Sequence, residues 1–424
     1  MSIRRFLPVL LLLGLSPMLC AGCSESRSTV EWDGSVRDSA GVTIVDNYGT
    51  PLWTEEGRWT LSEVLRIGVV EGDPDYQFGS LSGFSILSDG RIVIADQMAQ
   101  RVRFYSPEGE HLKTVGTSGS GPKDFGEGWL SIIVVPGDTI LVRDTRNERI
   151  HRLAPDGTWL GQFSTLPEDG RFVMGWDVTP SGTLISGHSP MILPDTPAVD
   201  SMDLILVRDI RGAVLDTLGR VPSQQVFRMA GDAPERHYYA GLPDFDLRWD
   251  GGIVTGRSDR YELHWYDESE RLEKIVRLHR PPAPFTDRDR ALLSDRFDAV
   301  MEQYNVPPEN VARFRSTVRF EDHYPVFRAF YCGPKGTFWV QQVRPLTEMN
   351  DSELERVGAG TMPPGSANWD VFDDEGRYLG VVDIPVEMDF FLLESPDRLI
   401  GRWTGELDVQ QLVVFQIVGM PTES

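Results

Sequence analysis

The sequence predicts an all-β fold: a closed ring of six small antiparallel sheets, with one short helical insertion. Three observations predict it. Short runs rich in Val, Ile, Phe and Tyr alternate with turns built from Pro, Gly, Asp and Ser, the signature of hairpins. These runs recur at a fixed spacing: Pro107-Glu108-Gly109 returns 48 residues on as Pro155-Asp156-Gly157, and Asp96 returns as Asp144. A period of this size filled with strands means stacked sheets. Finally, the array starts and ends out of phase, so its two ends complement each other.

The 424 residues are 40% hydrophobic and 25% charged, the profile of a globular chain. The formal net charge of -23 disfavours nucleic acid and anionic lipid head groups as partners. At the N-terminus, Arg4 and Arg5 precede an apolar run from Phe6 to Leu15, too short to span a bilayer, which reads as an export signal. Removing residues 1–22 takes away both arginines and no acid, so the mature charge falls from -23 to -25. Residues 23–40 are expected to form a polar, flexible tether. Beyond Cys20 and Cys23 the chain has only Cys332, at the end of the apolar run that starts at Val326, which reads as a buried thiol with no disulfide partner.

The strands of one unit are labelled A to D. In the first full unit, A is Gly83 to Leu87, B Arg91 to Ala95, C Arg101 to Tyr105 and D His111 to Val115. Ser88-Asp89-Gly90 and Ser106-Pro107-Glu108-Gly109 are its tight turns. The second unit covers Leu130 to Phe163 and the third Met174 to Leu218, with a Pro-rich B–C loop from His188 to Val199. A long link, Gly219 to Leu242, precedes the fourth. In the fifth, a long polar loop, Gln341 to Asn368, separates B from C. The sixth has A, B and C only. Val64 to Gly68 matches Leu112 to Gly116, a D strand with its trailing glycine, and supplies the missing strand from the other end of the chain. Joining the two leaves no open sheet edge there. Between the fourth and fifth units, Thr286-Asp287-Arg288-Asp289 reads as a capping box opening a helix, with Val311, Phe314 and Val318 marking a second. The ring is expected over residues 41–418, with the insertion at 286–320 and a tail at 419–424.

Gly90 to Phe104 (GRIVIADQMAQRVRF) and the Gly-Pro-x-x-Phe link Gly121 to Phe125 resemble the six-bladed β-propellers of NHL-repeat type, and more closely the propeller lipoproteins of bacterial envelopes. Leu19-Cys20-Ala21-Gly22-Cys23 is similar to a lipobox, with Cys20 where that family usually has Leu. That resemblance implies lipidation of Cys23 and an anchored protein at the cell envelope, periplasmic or on the outer-membrane surface; an ordinary cleaved signal peptide is the alternative. The propeller resemblance specifies a fold, and such folds host unrelated functions.

No nucleophile elbow, phosphate loop or calcium loop is present. Asp96 with Arg101 recurs as Asp144 with Arg149, and more loosely as Asp259-Arg260; a pair repeated between units reads as a structural staple of the B–C loop. The seven histidines show no metal-ligand spacing, and His237 and His323 stand beside tyrosines far apart in the chain. Two functions remain. The first is a non-catalytic envelope propeller with no cofactor, binding a protein, peptide or glycan and touching the membrane only through its lipid. The alternative is a propeller hydrolase or lyase with a divalent metal in the central channel. The B–C and D–A connections emerge on one face and are long and varied, the place for binding on a rigid scaffold. Ligand contacts are therefore expected from Tyr76, Trp129, His188, Arg257, Gln342, Arg344, Arg402 and Trp403, with the three arginines forming a basic channel mouth.

Overall fold

The computed structural model describes residues 31–164, 171–179, 182–190, 202–222, 236–241, 243–248, 250–269, 271–357, 362–395, 397–405 and 408–420. The proposed signal and Cys23 lie outside these residues.

The chain forms a six-bladed β-propeller. Blade 1 comprises Leu81–Ile86, Ile92–Asp96, Arg101–Tyr105 and His111–Val115, hydrogen-bonded in that order. Blades 2 and 3 repeat the arrangement from Leu130–Val135 to Trp159–Ser164 and from Arg171–Val178 to Val214–Pro222. Blade 4 runs from Pro243–Leu247 to Leu272–Leu278 and blade 5 from Ala329–Cys332 to Tyr378–Asp383. Blade 6 takes Met388–Ser395, Arg398–Thr404 and Gln410–Val418 from the C-terminal end and Thr60–Ile67 from the N-terminal end. The closing pair is antiparallel, with Leu412 opposite Ile67 and Val418 opposite Thr60.

Turn chemistry sets the hairpins. Gly90 and Gly109 adopt φ of 85° and 87°, a region that side chains with a Cβ avoid. Within each sheet, residues alternate between the two flanking blades. Accordingly, six apolar clusters among the described residues lie one at each blade–blade interface. Val93, Phe104 and Val115 of blade 1 meet Ile132 and Val142 of blade 2, and Trp339 and Trp369 of blade 5 meet Leu399 and Val413 of blade 6. The blades converge most tightly along their A strands: a Cβ on Gly83 would come within 2.7 Å of the Ile132 main-chain nitrogen.

The N-terminal segment does more than close the ring. Gly34–Ser39 and Val42–Asn47 form a hairpin, and the second strand pairs in parallel with Leu272–Leu278, extending blade 4 to six strands. Residues 34–39 therefore belong to the folded body and not to the tether expected over 23–40. From this hairpin the chain crosses the outer edge of blade 5, where Leu52 and Trp53 N–H groups donate to the Tyr378 and Leu379 carbonyls at 3.2 and 2.8 Å, and then enters blade 6. Asn47, fully buried, pins the strap: its amide donates to the Arg277 and Gly376 carbonyls, and its carbonyl accepts from Tyr378 N–H and the Trp32 indole.

The long connections build a cap on the face where B–C loops and D–A links emerge. Helices α1 (Asp287–Gln303) and α2 (Pro308–Thr317) lie between blades 4 and 5, and α3 (Asp351–Arg356) lies in the B–C loop of blade 5. The capping box at Thr286 and Asp289 forms as its residues require. Arg236–Tyr238, from the link before blade 4, pairs in parallel with Val318–Phe320. Tyr238, Tyr239, Phe285, Leu293, Tyr324, Leu346 and Val357, drawn from all three connections, share one core. Buried Asp289 ties the helical insertion to the blade 5 loop, accepting from Tyr324 Oη at 2.9 Å and Thr347 N–H at 3.1 Å.

Ring closure depends on Ile67, which is 2% exposed in the core between blades 6 and 1. Ile67→Ala should cost about 2–5 kcal/mol in urea denaturation. Deleting residues 24–70 should abolish the cooperative thermal transition; a deletion variant that melts as cooperatively as the parent contradicts closure by this strand.

Candidate functional site

The acids that end the B strands of blades 1 and 2 are anchors of the D–A links. Asp96 accepts from the Gly79, Ser80 and Ala99 main-chain N–H groups and from Arg103 at 3.0 Å. The expected partner Arg101 is its register neighbour across the strands, but the ion pair is made by Arg103, whose side chain turns inward and is 5% exposed. The 48-residue repeat carries this position to His151, fully buried with its Nε2 3.7 Å from Asp144. Asp144 also accepts from Gly126 and Asn147 N–H groups and the Asn147 amide, with Arg149 at 3.8 Å. Burial alone would raise the Asp144 pKa. The His151 imidazole and the N–H donors outweigh it and bring the carboxyl down to about 2. The staple is therefore a fan of main-chain donors, closed by the buried Arg103 guanidinium in blade 1 and the buried His151 imidazole in blade 2.

The residues expected to bind ligand take varied positions. Arg257 faces Asp259 at 3.3 Å with its side chain about half exposed. Arg344 forms a two-pronged pair with Glu353 at 2.8 and 3.0 Å, and Glu353 closes the capping box of α3 with Asn350, so Arg344 fastens the cap to blade 5. Arg402 donates to the Leu81 carbonyl at 2.6 Å, joining blade 6 to blade 1. Gln342 donates to Asp370, a fully buried carboxylate that also receives both Arg280 nitrogens and the Tyr261 and Tyr378 hydroxyls. His188 is 2% exposed, with Nε2 2.9 Å from Ser186 Oγ. The Tyr76 hydroxyl accepts from His111 N–H, and its ring lies beside Tyr105. Trp403 carries the Arg66 guanidinium 4.7 Å above its ring. Trp129 is 49% exposed on the link before blade 2. Of the eight, Arg402 joins two blades and Arg344 joins the cap to a blade; the other contacts lie within one blade or its link, and the eight are spread around the ring.

A different group meets at the channel mouth between blades 4 and 5. A cavity of about 200 Å³ is lined by Asp244, Ser258, Phe327, Arg328, Tyr331 and Met362, with Ala240, Pro325, Ala329 and Pro363 completing the wall. Its position follows from strand period and loop placement. In Pro243–Leu247, Phe245 and Leu247 pack into the core toward blade 3. Asp244 and Asp246 take the alternate positions, and Asp246 accepts from the blade 5 Cys332 N–H at 2.6 Å. Cys332, expected to be buried, is half-buried. Ala240 comes from the link before blade 4, Pro325 and Phe327 from the segment leaving the helical insertion, and Met362 and Pro363 from the B–C loop of blade 5. The three connections that build the cap therefore also wall the cavity.

Burial pushes the Asp244 carboxyl up to about 6, against the pull of the Phe245 and Phe330 N–H groups and of Arg328. Burial likewise lowers the Arg328 pKa, offset in part by Tyr331 and Asp244, and pushes Tyr331 up to about 12. Sequence spacing marks none of these residues; the available signal was a lone arginine inside the apolar run Val326 to Tyr331. Among the described residues, no three His, Cys, Asp or Glu side chains gather to hold a metal ion.

The two perturbed acids act in opposite directions. Asp144, held below the ordinary carboxyl value of 3.8, stabilises the fold above about pH 4 and loses that contribution as pH falls toward 2. Asp144→Ala should cost roughly 2 kcal/mol at pH 7 and flatten the acid limb of the stability curve. Asp244, held above that value, favours the folded state when protonated and costs stability as pH rises through about 6. Asp244→Asn should therefore raise the unfolding free energy from urea denaturation at pH 7.5 by roughly 1–3 kcal/mol, and leave it unchanged near pH 4.

No family model and no curated protein matches the chain. Solved structures do resemble it. A member of the DUF4221 family from Bacteroides vulgatus is 12% identical, with a TM-score of 0.53, covering 86% of this chain and 99% of that one. A Bacteroides fragilis protein described as exported is 11% identical with a TM-score of 0.49, covering 88% and 99%. A catalytically inactive virginiamycin B lyase from Staphylococcus aureus, solved with quinupristin, is 8% identical with a TM-score of 0.40, covering 85% and 100%. At these identities the likeness is one of fold alone.

Proposed function

We propose that the protein is a non-catalytic, exported binding propeller that holds a peptide or glycan ligand, or part of a partner protein, at the channel mouth between blades 4 and 5. The observation that carries this reading is the walled cavity of about 200 Å³ beneath the cap, where Arg328 and Asp244 sit among Phe327, Tyr331 and Met362. A concave site with a few polar groups among apolar walls suits a small ligand or an inserted side chain. Two A strands fix one side of the cavity, and the cap, held by Asp289, Arg344 and Glu353, fixes the other. The export signal and the lipobox-like run ending at Cys23 support a site outside the cytoplasm, tethered by lipid. No helix among the described residues is long and apolar enough to cross a membrane.

Two experiments test the reading. Ala329 lines the cavity on the A strand of blade 5, and Ala329→Trp should fill it. A thermal-shift screen of short peptides and soluble cell-wall glycan fragments should find a ligand for the parent that this variant no longer binds, while both melt cooperatively. Ligands that bind parent and variant equally place the site elsewhere. Cys23→Ser should release the protein from the membrane fraction; unchanged fractionation contradicts the lipid anchor.

A further inference from the structure

The charges in the cavity are unusual in one respect. Elsewhere the arginines of the ligand face are engaged: Arg257 by Asp259, Arg344 by Glu353 and Arg402 by the Leu81 carbonyl. Arg328 has no carboxylate oxygen of a described residue within 4.0 Å and no side-chain hydrogen bond to one, although it is half-buried. Asp244 lines the same cavity, and its bonds are to main-chain N–H groups. One cation and one carboxyl thus share a cavity without pairing with each other. Desolvated charges held apart in this way carry an unmet cost, which a ligand of complementary charge removes.

Resting on the binding reading above, we propose that the cavity accepts a free α-amino acid, its carboxylate on the Arg328 guanidinium and its ammonium group on Asp244. At neutral pH the two side chains sum to no net charge, so the cavity favours a ligand that is itself neutral overall but separates its charges. A simple anion would meet Arg328 and be repelled by Asp244. A planar guanidinium suits a carboxylate by two parallel hydrogen bonds. Phe327, Pro325, Pro363 and Met362 offer an apolar wall for the ligand side chain, with Ser258 and Tyr331 at its polar edge. The size fits, since about 200 Å³ holds several water-sized groups and no long oligomer. The charged and titratable groups facing Asp244 are Arg328 and Tyr331 from the blade 5 side, with Asp246 two residues along its own strand. An ammonium group on Asp244 requires the ionised carboxylate, so binding should weaken as pH falls below about 6.

Isothermal titration of the full-length mature chain with each of the twenty standard amino acids, and with the N-acetyl and amide forms of any that bind, tests this. At least one free amino acid should bind at pH 7.5. Blocking either end should weaken it tenfold or more, and so should Arg328→Met and Asp244→Asn, whereas Arg328→Lys should retain part of the affinity. Lowering the pH to 5 should reduce affinity at least fivefold. Far-UV circular dichroism and melting of each variant separate lost binding from lost fold. No binding by any amino acid, equal binding of blocked forms, or tighter binding at pH 5 overturns the proposal. If an uncharged glycan binds the parent and Arg328→Met but not Ala329→Trp, the amino-acid assignment fails while the binding site stands.

Discussion

The structure depends on the pairing of Thr60–Ile67 with Gln410–Val418, which brings together the two ends of the folded chain. A blade has two faces, and each must be covered by a neighbour. Apolar clusters accordingly lie at blade–blade interfaces and not inside single blades. Without the closing strand, blade 6 would present the row of unpaired backbone groups on Gln410–Val418 to water. Closure therefore concerns every interface, because each blade is held only by its two neighbours. The N-terminal segment reinforces this constraint by strapping the outer edges of blades 4, 5 and 6 in turn, with Asn47 satisfied at every polar atom.

Polar groups within this framework follow one rule. Buried acids are nodes whose oxygens are filled by N–H, hydroxyl or guanidinium donors. Asp96 and Asp144 hold the D–A links, Asp289 holds the cap, and Asp370 joins blade 4 to blade 5 through Arg280 and Tyr261. Each node costs desolvation and returns it through several strong hydrogen bonds, while fixing the relative position of two elements. The channel mouth departs from this rule. Arg328 and Asp244 are desolvated but unpaired with each other, and such a break in a pattern obeyed elsewhere is what makes this cavity the candidate site.

Much of the fold was legible in the residues. The 48-residue period, the turn glycines and the out-of-phase ends specify strand order, blade count and the closing strand, because hairpin turns and strand alternation are local properties of the chain. The Thr286 capping box likewise announces α1 within four residues. The staple was half legible: Asp96 and Asp144 stand out as repeated acids. That Arg103 and not Arg101 completes the first depends on which face of the strand turns inward at that point.

What the sequence by itself determined, then, is the ring: six sheets, their order and their closure, since these follow from patterns confined to a few neighbouring residues. Only the tertiary structure brings the residues of the candidate cavity together. Asp244, Ser258, Arg328 and Met362 come from four stretches spread over more than a hundred residues, and no spacing rule connects them. They meet because blades 4 and 5 converge at their A strands and because the cap folds three separate loops over that point. The arginines that looked free along the chain are engaged once Asp259, Glu353 and the Leu81 carbonyl arrive beside them. Arg328, hidden in an apolar run, is left facing the cavity, because charge pairing is settled by which elements the ring brings into contact.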